Sequence, residues 1–344
     1  MTTGLYYSPL YLEHVAPGHP ESPTRLETAW TQLQRYGLTN DLAVAEPPPA
    51  DLADVERVHT PAHVRRVRAI AADGGGWVDG DTFVAVASYG AALCAAGAGI
   101  AGCEAVLSGR QENAFALVRP PGHHALPDRA MGFCLFNNVA IAAAWARAKG
   151  GAERVLIVDF DVHHGNGTQD VFYDRADVAL FSTHQFPLYP GTGRLAETGT
   201  GAGAGYSVNL PLPPGCGDGV YLRAFDEVLA PLARRYRPDL ILVSAGYDAH
   251  WSDPLANMRL TVDGYVALVE RLRRLADELC GGRLVALLEG GYNLGAVAAA
   301  VVATCQVLAD QPPIGDPLGT PPPEPAPRAA DDVLAAAREL HHLT

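Results

Sequence analysis

The chain has 344 residues, 48% of them apolar and 18% charged, enough apolar material to bury a large core, so wholesale disorder is excluded. Its 25 basic and 38 acidic residues give a formal charge of −13, which excludes a protein that tracks nucleic-acid phosphates, because that needs a basic face. Six cysteines lie scattered without CxxC spacing, and the N-terminal MTTGLYYSPLYLEH lacks a basic segment followed by an apolar one. Reduced thiols, no signal peptide and a cytoplasmic location are therefore expected.

In chain order, the first feature is Ala85 to Cys103, which carries no charged residue and is about as long as a membrane span. Alanine and glycine dominate it and gain little by leaving water, so a closely packed core helix is expected there, reaching Leu107, and no membrane partner. A strand at 114–118 is followed by a helix at 139–148 and strands at 155–159 and 178–182. Tyr221, Leu222, Phe225, Leu229 and Leu232 then recur at helical spacing, before a strand at 240–244. Tyr265, Leu268, Leu272, Leu275 and Leu279 mark another helix, before a strand at 284–288 and a helix at 294–308. The strand runs are apolar without alternation, as in parallel strands covered on both faces, and the alternation implies an open, doubly wound α/β domain. PPPEPAP at 321–327 reads as a linker and Asp331 to Leu343 as a terminal helix, with His341 and His342 as solvated tail residues.

Ligands of such sheets bind beyond the carboxyl ends of the strands. There the chain places His123 and His124 (RPPGHHA), Asp159, Asp161, His163, His164 and Asn166 (DFDVHHGNGTQ), Asp248 (SAGYDAH) and Tyr292 (EGGYN). Asp161 and His163 are two residues apart and project to one side of an extended segment. With Asp248 they make an O, O, N ligand set with open positions, suited to Zn²⁺ or another first-row divalent ion. His123 and His124 are candidates for proton transfer, oriented by Asp159 and Asn166, and the Tyr292 phenol for donation to an oxyanion. The chemistry implied is metal-assisted hydrolysis of an amide or ester. Taken singly, Asp159 suits a turn cap, Asn166 a left-handed turn, Phe133 and Leu255 core positions, and Glu289 a structural role.

RPPGHHA, GFCLFNN, DFDVHHGNGTQ, VSAGYDA, DPL and LEGGYN, with HPESPTRL at 19–26 and HTPAHV at 59–64, resemble the zinc-dependent histone deacetylase superfamily, closer to its class II branch and bacterial relatives. The resemblance covers nearly the whole chain to Leu308. It implies one arginase/deacetylase-like catalytic domain over residues 1–310, with about eight parallel strands, followed by a Pro-rich linker and helix at 311–344. It implies zinc on Asp161, His163 and Asp248, His124 as general base and acid, and His123 as its electrostatic partner. Asp159 would pair with His123 and Asn166 with His124, and Tyr292 would polarise the acetyl carbonyl. A structural potassium ion is implied at Asp159, Asp161, Ser182 and the carbonyls of His163 and Thr183, with a second such site near the Phe172 carbonyl. Arg25 matches the arginine of the family's internal acetate channel.

The implied substrate is an acetylated lysine peptide or acetylated amine in a narrow tunnel walled by Gly132, Phe133 and Gly290, with Leu255 on the rim. Tyr189, in YPGTG, stands where relatives usually carry Phe, and Ser88 where class II enzymes place a serine that meets the substrate backbone. Leu255 stands where the polyamine-selective branch often has Glu. Alternatives are an acetylpolyamine amidohydrolase, a binuclear manganese ureohydrolase, which needs further aspartates, and a catalytically silent acyl-lysine-binding module. Neither nucleic acid nor membrane is expected as a partner, and a homo-oligomer is left open.

Overall fold

The computed structural model describes residues 2–343. Its strands are β1 (Thr3–Tyr6), β2 (Ala43–Ala45), β3 (Gly76–Trp77), β4 (Phe83–Val84), β5 (Asn113–Ala116), β6 (Val155–Asp159), β7 (Val178–Gln185), β8 (Ser207–Leu212), β9 (Leu240–Ala245) and β10 (Leu284–Leu288). β3 and β4 form a small antiparallel hairpin. The other eight form one sheet in the order β2-β1-β5-β10-β9-β6-β7-β8, with every pairing parallel. This is the arginase/deacetylase-like architecture expected, and β5, β6, β7, β9 and β10 are buried along their whole length, including the polar second half of β7, Ser182 to Gln185.

Besides the β3–β4 hairpin, three strands of the main sheet escaped the sequence pattern. β1 and β2 are four and three residues long, too short for a periodic signal. β8 contains Asn209 and Pro211; proline cannot donate to a ladder, and β8 tolerates it because it is an edge strand.

The charge-free segment forms a helix over Ser88–Leu107, the one helix among the described residues long and apolar enough to cross a membrane, and 67% of its apolar window is buried inside the protein. Its glycines explain the composition. A methyl at Gly102 would lie 2.8 Å from Val285 Cγ1, and one at Gly99 2.9 Å from Leu287 Cδ2, so the helix rests directly on β10. β10 is thereby held rigidly in the middle of the sheet, and its carboxyl end carries Glu289 to Tyr292.

The tail is packed against this body. Its helix spans Arg328–Leu340, three residues ahead of the expected start, and lies against β8, covering that edge. Leu334, Ala337 and Leu343 are buried, and one leucine contributes about 1.5–3 kcal/mol. The ion pairs Arg223–Asp331 and Arg338–Glu227 are exposed and contribute under about 1 kcal/mol each, so apolar contact holds the helix down. His341, expected in solvent, is 4% exposed, and Arg235 donates to its carbonyl.

Candidate active site

Four adjacent strands of the sheet centre, β5, β10, β9 and β6, end at one edge, and the residues that follow them meet there. Asp161 and His163 follow β6 and Asp248 follows β9; their ligand atoms all lie within 4.8 Å of one another. His163 Nδ1 is 3.1 Å from both Asp161 Oδ1 and Asp248 Oδ2. The outer oxygens are fixed from behind: Gly290 N–H donates to Asp161 Oδ2 (2.8 Å) and Val162 N–H to Asp248 Oδ1 (2.8 Å). A Cβ at residue 290 would lie 2.1 Å from Asp248 Oδ2, so only glycine lets β10 approach the two carboxylates.

Two fully buried carboxylates facing one imidazole require a cation. The Asp161 and Asp248 carboxylates push His163 up to about 10 against the opposing effect of burial, a measure of how strongly this pocket attracts positive charge. A divalent ion held by Asp161, His163 and Asp248 would satisfy both carboxylates with the imidazole neutral, and the O, O, N donor set fits a first-row metal.

The adjacent histidines are driven apart. His123 Nδ1 is 3.0 Å from Asp159 Oδ2; burial opposes its charge, but Asp161, Asp159 and Glu289 hold it well above the usual value. His124 Nδ1 is 2.8 Å from Asn166 Oδ1, and burial, reinforced by His123 and His163, holds it well below. His124 is thus the neutral one. With Nδ1–H donating to the Asn166 oxygen, its Nε2 carries the free lone pair. Glu289 ties this loop to β10 by accepting from the N–H groups of Gly122 (2.7 Å) and His123 (3.2 Å).

Tyr292 follows β10. Burial keeps its phenol well above the usual range, hence protonated. Asn293 caps the next helix, Leu294–Leu308, accepting from Gly295 N and Ala296 N at 3.1 Å, a contribution of about 1 kcal/mol that fixes the chain just after the tyrosine. Arg25 is fully buried behind it, donating to the carbonyls of Gly291 and Glu289 (2.6 Å each) and to Glu21 (3.0 Å), with its guanidinium 5.0 Å from the Tyr292 ring centroid.

A cavity of about 210 Å³ opens onto these groups, lined by Asp81, His124, Gly132, Phe133, His163, Leu188, Tyr189, Leu255 and Tyr292. Gly132 has a φ of 56°, and a Cβ there would lie 2.5 Å from His124 Cδ2, so glycine keeps the wall off the ring. Phe133 is strained at φ 68°, on the order of 1 kcal/mol, and is held by donation from its N–H to Thr82 Oγ1 (3.1 Å) and by edge contact with His19. The Tyr189 ring stands perpendicular to His124 with centroids 5.1 Å apart, and Phe133 perpendicular to Tyr292 at 5.9 Å.

Two expected wall residues lie elsewhere. Ser88 is fully buried at the start of its helix, where its hydroxyl meets His14 Nδ1 (2.6 Å) and accepts from Ala85 N (2.6 Å), so it does not reach the cavity. Gly290 is buried behind the ligand carboxylates rather than on the wall. Asp81, Leu188 and Asp253 were missed; Asp253 accepts from Tyr292 N (2.7 Å) and lies in the DPL motif, whereas Asp81 sits in a DGD run that reads as a plain turn. Of the residues expected around potassium, Ser182 pairs with Asp159 across β6 and β7, Thr183 follows it, and Phe172 ends the helix Asn166–Phe172.

A family profile for the histone deacetylase domain matches residues 19–308. A protein of Archaeoglobus fulgidus named as a probable deacetylase is 45% identical over 311 residues, covering 87% of this chain and 86% of the relative. A histone deacetylase-like amidohydrolase of Pseudomonas aeruginosa is 43% identical over 281 residues, covering 81% and 73%. The crystal structure of an HDA15 HD domain superposes with a TM-score of 0.91 at 36% identity, over 99% of this chain and 94% of that one.

Proposed function

Since the chain belongs to the histone deacetylase family, we propose that it is a zinc-dependent deacetylase that hydrolyses the amide of an acetyl-lysine, or a related acylated amine, to acetate and free amine. One observation carries this reading: a single cavity is lined by the ligand His163, by a neutral histidine of fixed tautomer, His124, and by the protonated phenol of Tyr292.

Zinc held by Asp161, His163 and Asp248 would polarise the acyl carbonyl and acidify the attacking water. The rest falls to the chain's own groups. His124 takes the water proton at Nε2, because Nδ1 is committed to Asn166, and returns it to the departing amine. His123, positive beside Asp159, keeps His124 neutral at the start of the cycle. The Tyr292 hydroxyl donates to the oxyanion formed at the acyl carbon. Phe133, Tyr189 and Leu255 enclose the lysine methylenes and keep bulk water off them. Structural potassium at Asp159, Asp161, His163, Ser182 and Thr183, with a second ion near Phe172, is part of the proposal. So is a cytoplasmic location, supported by six buried cysteines that are all unpaired. Acetate release past Arg25 belongs to it as well.

Asp81 among the lining residues favours a second reading, an acetylated polyamine whose next ammonium would be drawn to that carboxylate. The test is kcat/KM for acetyl-lysine peptides, acetylated polyamines, longer acyl-lysines and small acetyl esters. Acetyl-lysine peptides are expected to lead; a lead for polyamines moves the assignment to the second reading, and a flat profile contradicts a substrate tunnel.

A further inference from the structure

A hydrogen-bonded path runs from the C-terminal segment to Tyr292. Asp316 lies beyond the helix Leu294–Leu308, in the stretch leading to the Pro-rich run, yet its side chain is only 3% exposed. Its Oδ2 accepts from His250 Nε2 (2.9 Å) and Val262 N (2.9 Å), and its Oδ1 from Leu318 N (2.8 Å). Close by, Trp251 Nε1 donates to the Gly319 carbonyl (3.1 Å). The tail is thus fastened to the loop that carries Asp248, Asp253 and Leu255.

The path inward is set by a tautomer. Ser252 N–H lies 3.2 Å from His250 Nδ1, and a backbone N–H can only donate, so Nδ1 accepts and the ring proton sits on Nε2. Asp316 is the acceptor that keeps it there. His250 can then hold Ser252 by both its N–H and its hydroxyl (2.8 Å). The Ser252 carbonyl accepts from Asn293 Nδ2 (3.2 Å), and Asp253 N donates to the His250 carbonyl (2.9 Å). Asp253 completes the path: its Oδ2 accepts from Tyr292 N (2.7 Å) and Asn293 N (3.2 Å), and its Oδ1 from Leu255 N (2.9 Å).

We infer that Asp316 is a positioning residue for Tyr292: by fixing the His250 tautomer, the C-terminal segment sets where the phenol stands. The inference rests on the reading of Tyr292 as oxyanion donor and gives the tail a part in turnover. A phenol displaced by a fraction of an ångström still binds substrate walls but stabilises the oxyanion less, so kcat should carry the loss.

The test is a double-variant cycle on the full, zinc-loaded chain with an acetyl-lysine peptide, using Asp316→Ala, Asp316→Asn, Tyr292→Phe and the Asp316→Ala/Tyr292→Phe pair. Asp316→Ala should lower kcat about tenfold with KM nearly unchanged. Asp316→Asn, which keeps one acceptor, should fall between Ala and wild type. The pair should be no slower than Tyr292→Phe alone, because without the hydroxyl its misplacement costs nothing further. Normal kcat in Asp316→Ala, losses that multiply in the pair, or zinc lost from Asp316→Ala would each overturn this inference and leave the role of Tyr292 standing. Near-normal turnover of Tyr292→Phe alone would overturn both. Should Asp316→Ala fail to fold, Asp316→Asn carries the same cycle with a smaller expected loss.

Discussion

The floor of the cavity and its mouth are built differently. On the floor, Asp159, Asp161 and Asp248 are fully buried, His123 and His124 nearly so, and each has a hydrogen-bond partner that fixes its orientation. At the mouth, Tyr189 and Leu255 are 38% and 36% exposed, and Tyr189 meets the floor through ring-edge contact with His124. The floor is preorganised for one reaction, whereas the mouth can change its preference without disturbing the chemistry beneath it.

Substitutions should therefore separate by depth. Gly290→Ala drives a methyl into the Asp161 and Asp248 carboxylates, and zinc affinity and kcat/KM should both fall by about 10²-fold or more, read by metal analysis and acetate release. Asn166→Ala frees the His124 tautomer and should lower kcat about 10–100-fold with KM nearly unchanged. Equal effects on KM would mean that Asn166 shapes the wall instead. At the mouth, Asp81→Asn should leave kcat within a few-fold but raise KM for cationic peptides, with the difference shrinking as salt is raised. A large fall in kcat there would erase the distinction between floor and mouth.

A buried histidine behind the floor gives an effect on stability instead of on turnover. Neutral His59 uses both ring nitrogens, Nδ1 donating to the Leu126 carbonyl (3.0 Å) and Nε2 accepting from Asn137 N (2.8 Å). Burial, helped by His63, pushes it down to about 3. The folded state therefore binds fewer protons than the unfolded chain below pH about 6.5. Its contribution is intact above that pH and is lost as pH falls from about 6.5 toward 3, at up to about 1.4 kcal/mol per pH unit. Denaturant midpoints at pH 7 and pH 5 should show a flatter pH dependence in His59→Gln than in wild type; equal slopes would contradict this.

The floor was legible in the sequence because its residues follow long apolar strands at short, fixed offsets: Asp161 and His163 share a side, and Asp248 and Tyr292 each come a few residues after a strand end. The parallel central strands were legible for the same reason. What escaped depends on contacts distant in sequence. The family resemblance implies substrate contact for the Ser88 hydroxyl, whereas its partner is His14, 74 residues earlier. The family resemblance implies Gly290 on the wall, and a glycine after a strand gives no sign of the carboxylates packed against it. The tail read as linker and helix, and nothing local to Asp316 announces a bond to His250, 66 residues away.

The central claim, one divalent ion serving hydrolysis of an acylated amine, is tested most directly by titrating chelator-stripped protein with zinc while following acetate release from an acetyl-lysine peptide. Activity should rise linearly and level off at one equivalent per chain. A plateau at two equivalents, or no acetate released at any zinc level, would contradict the account.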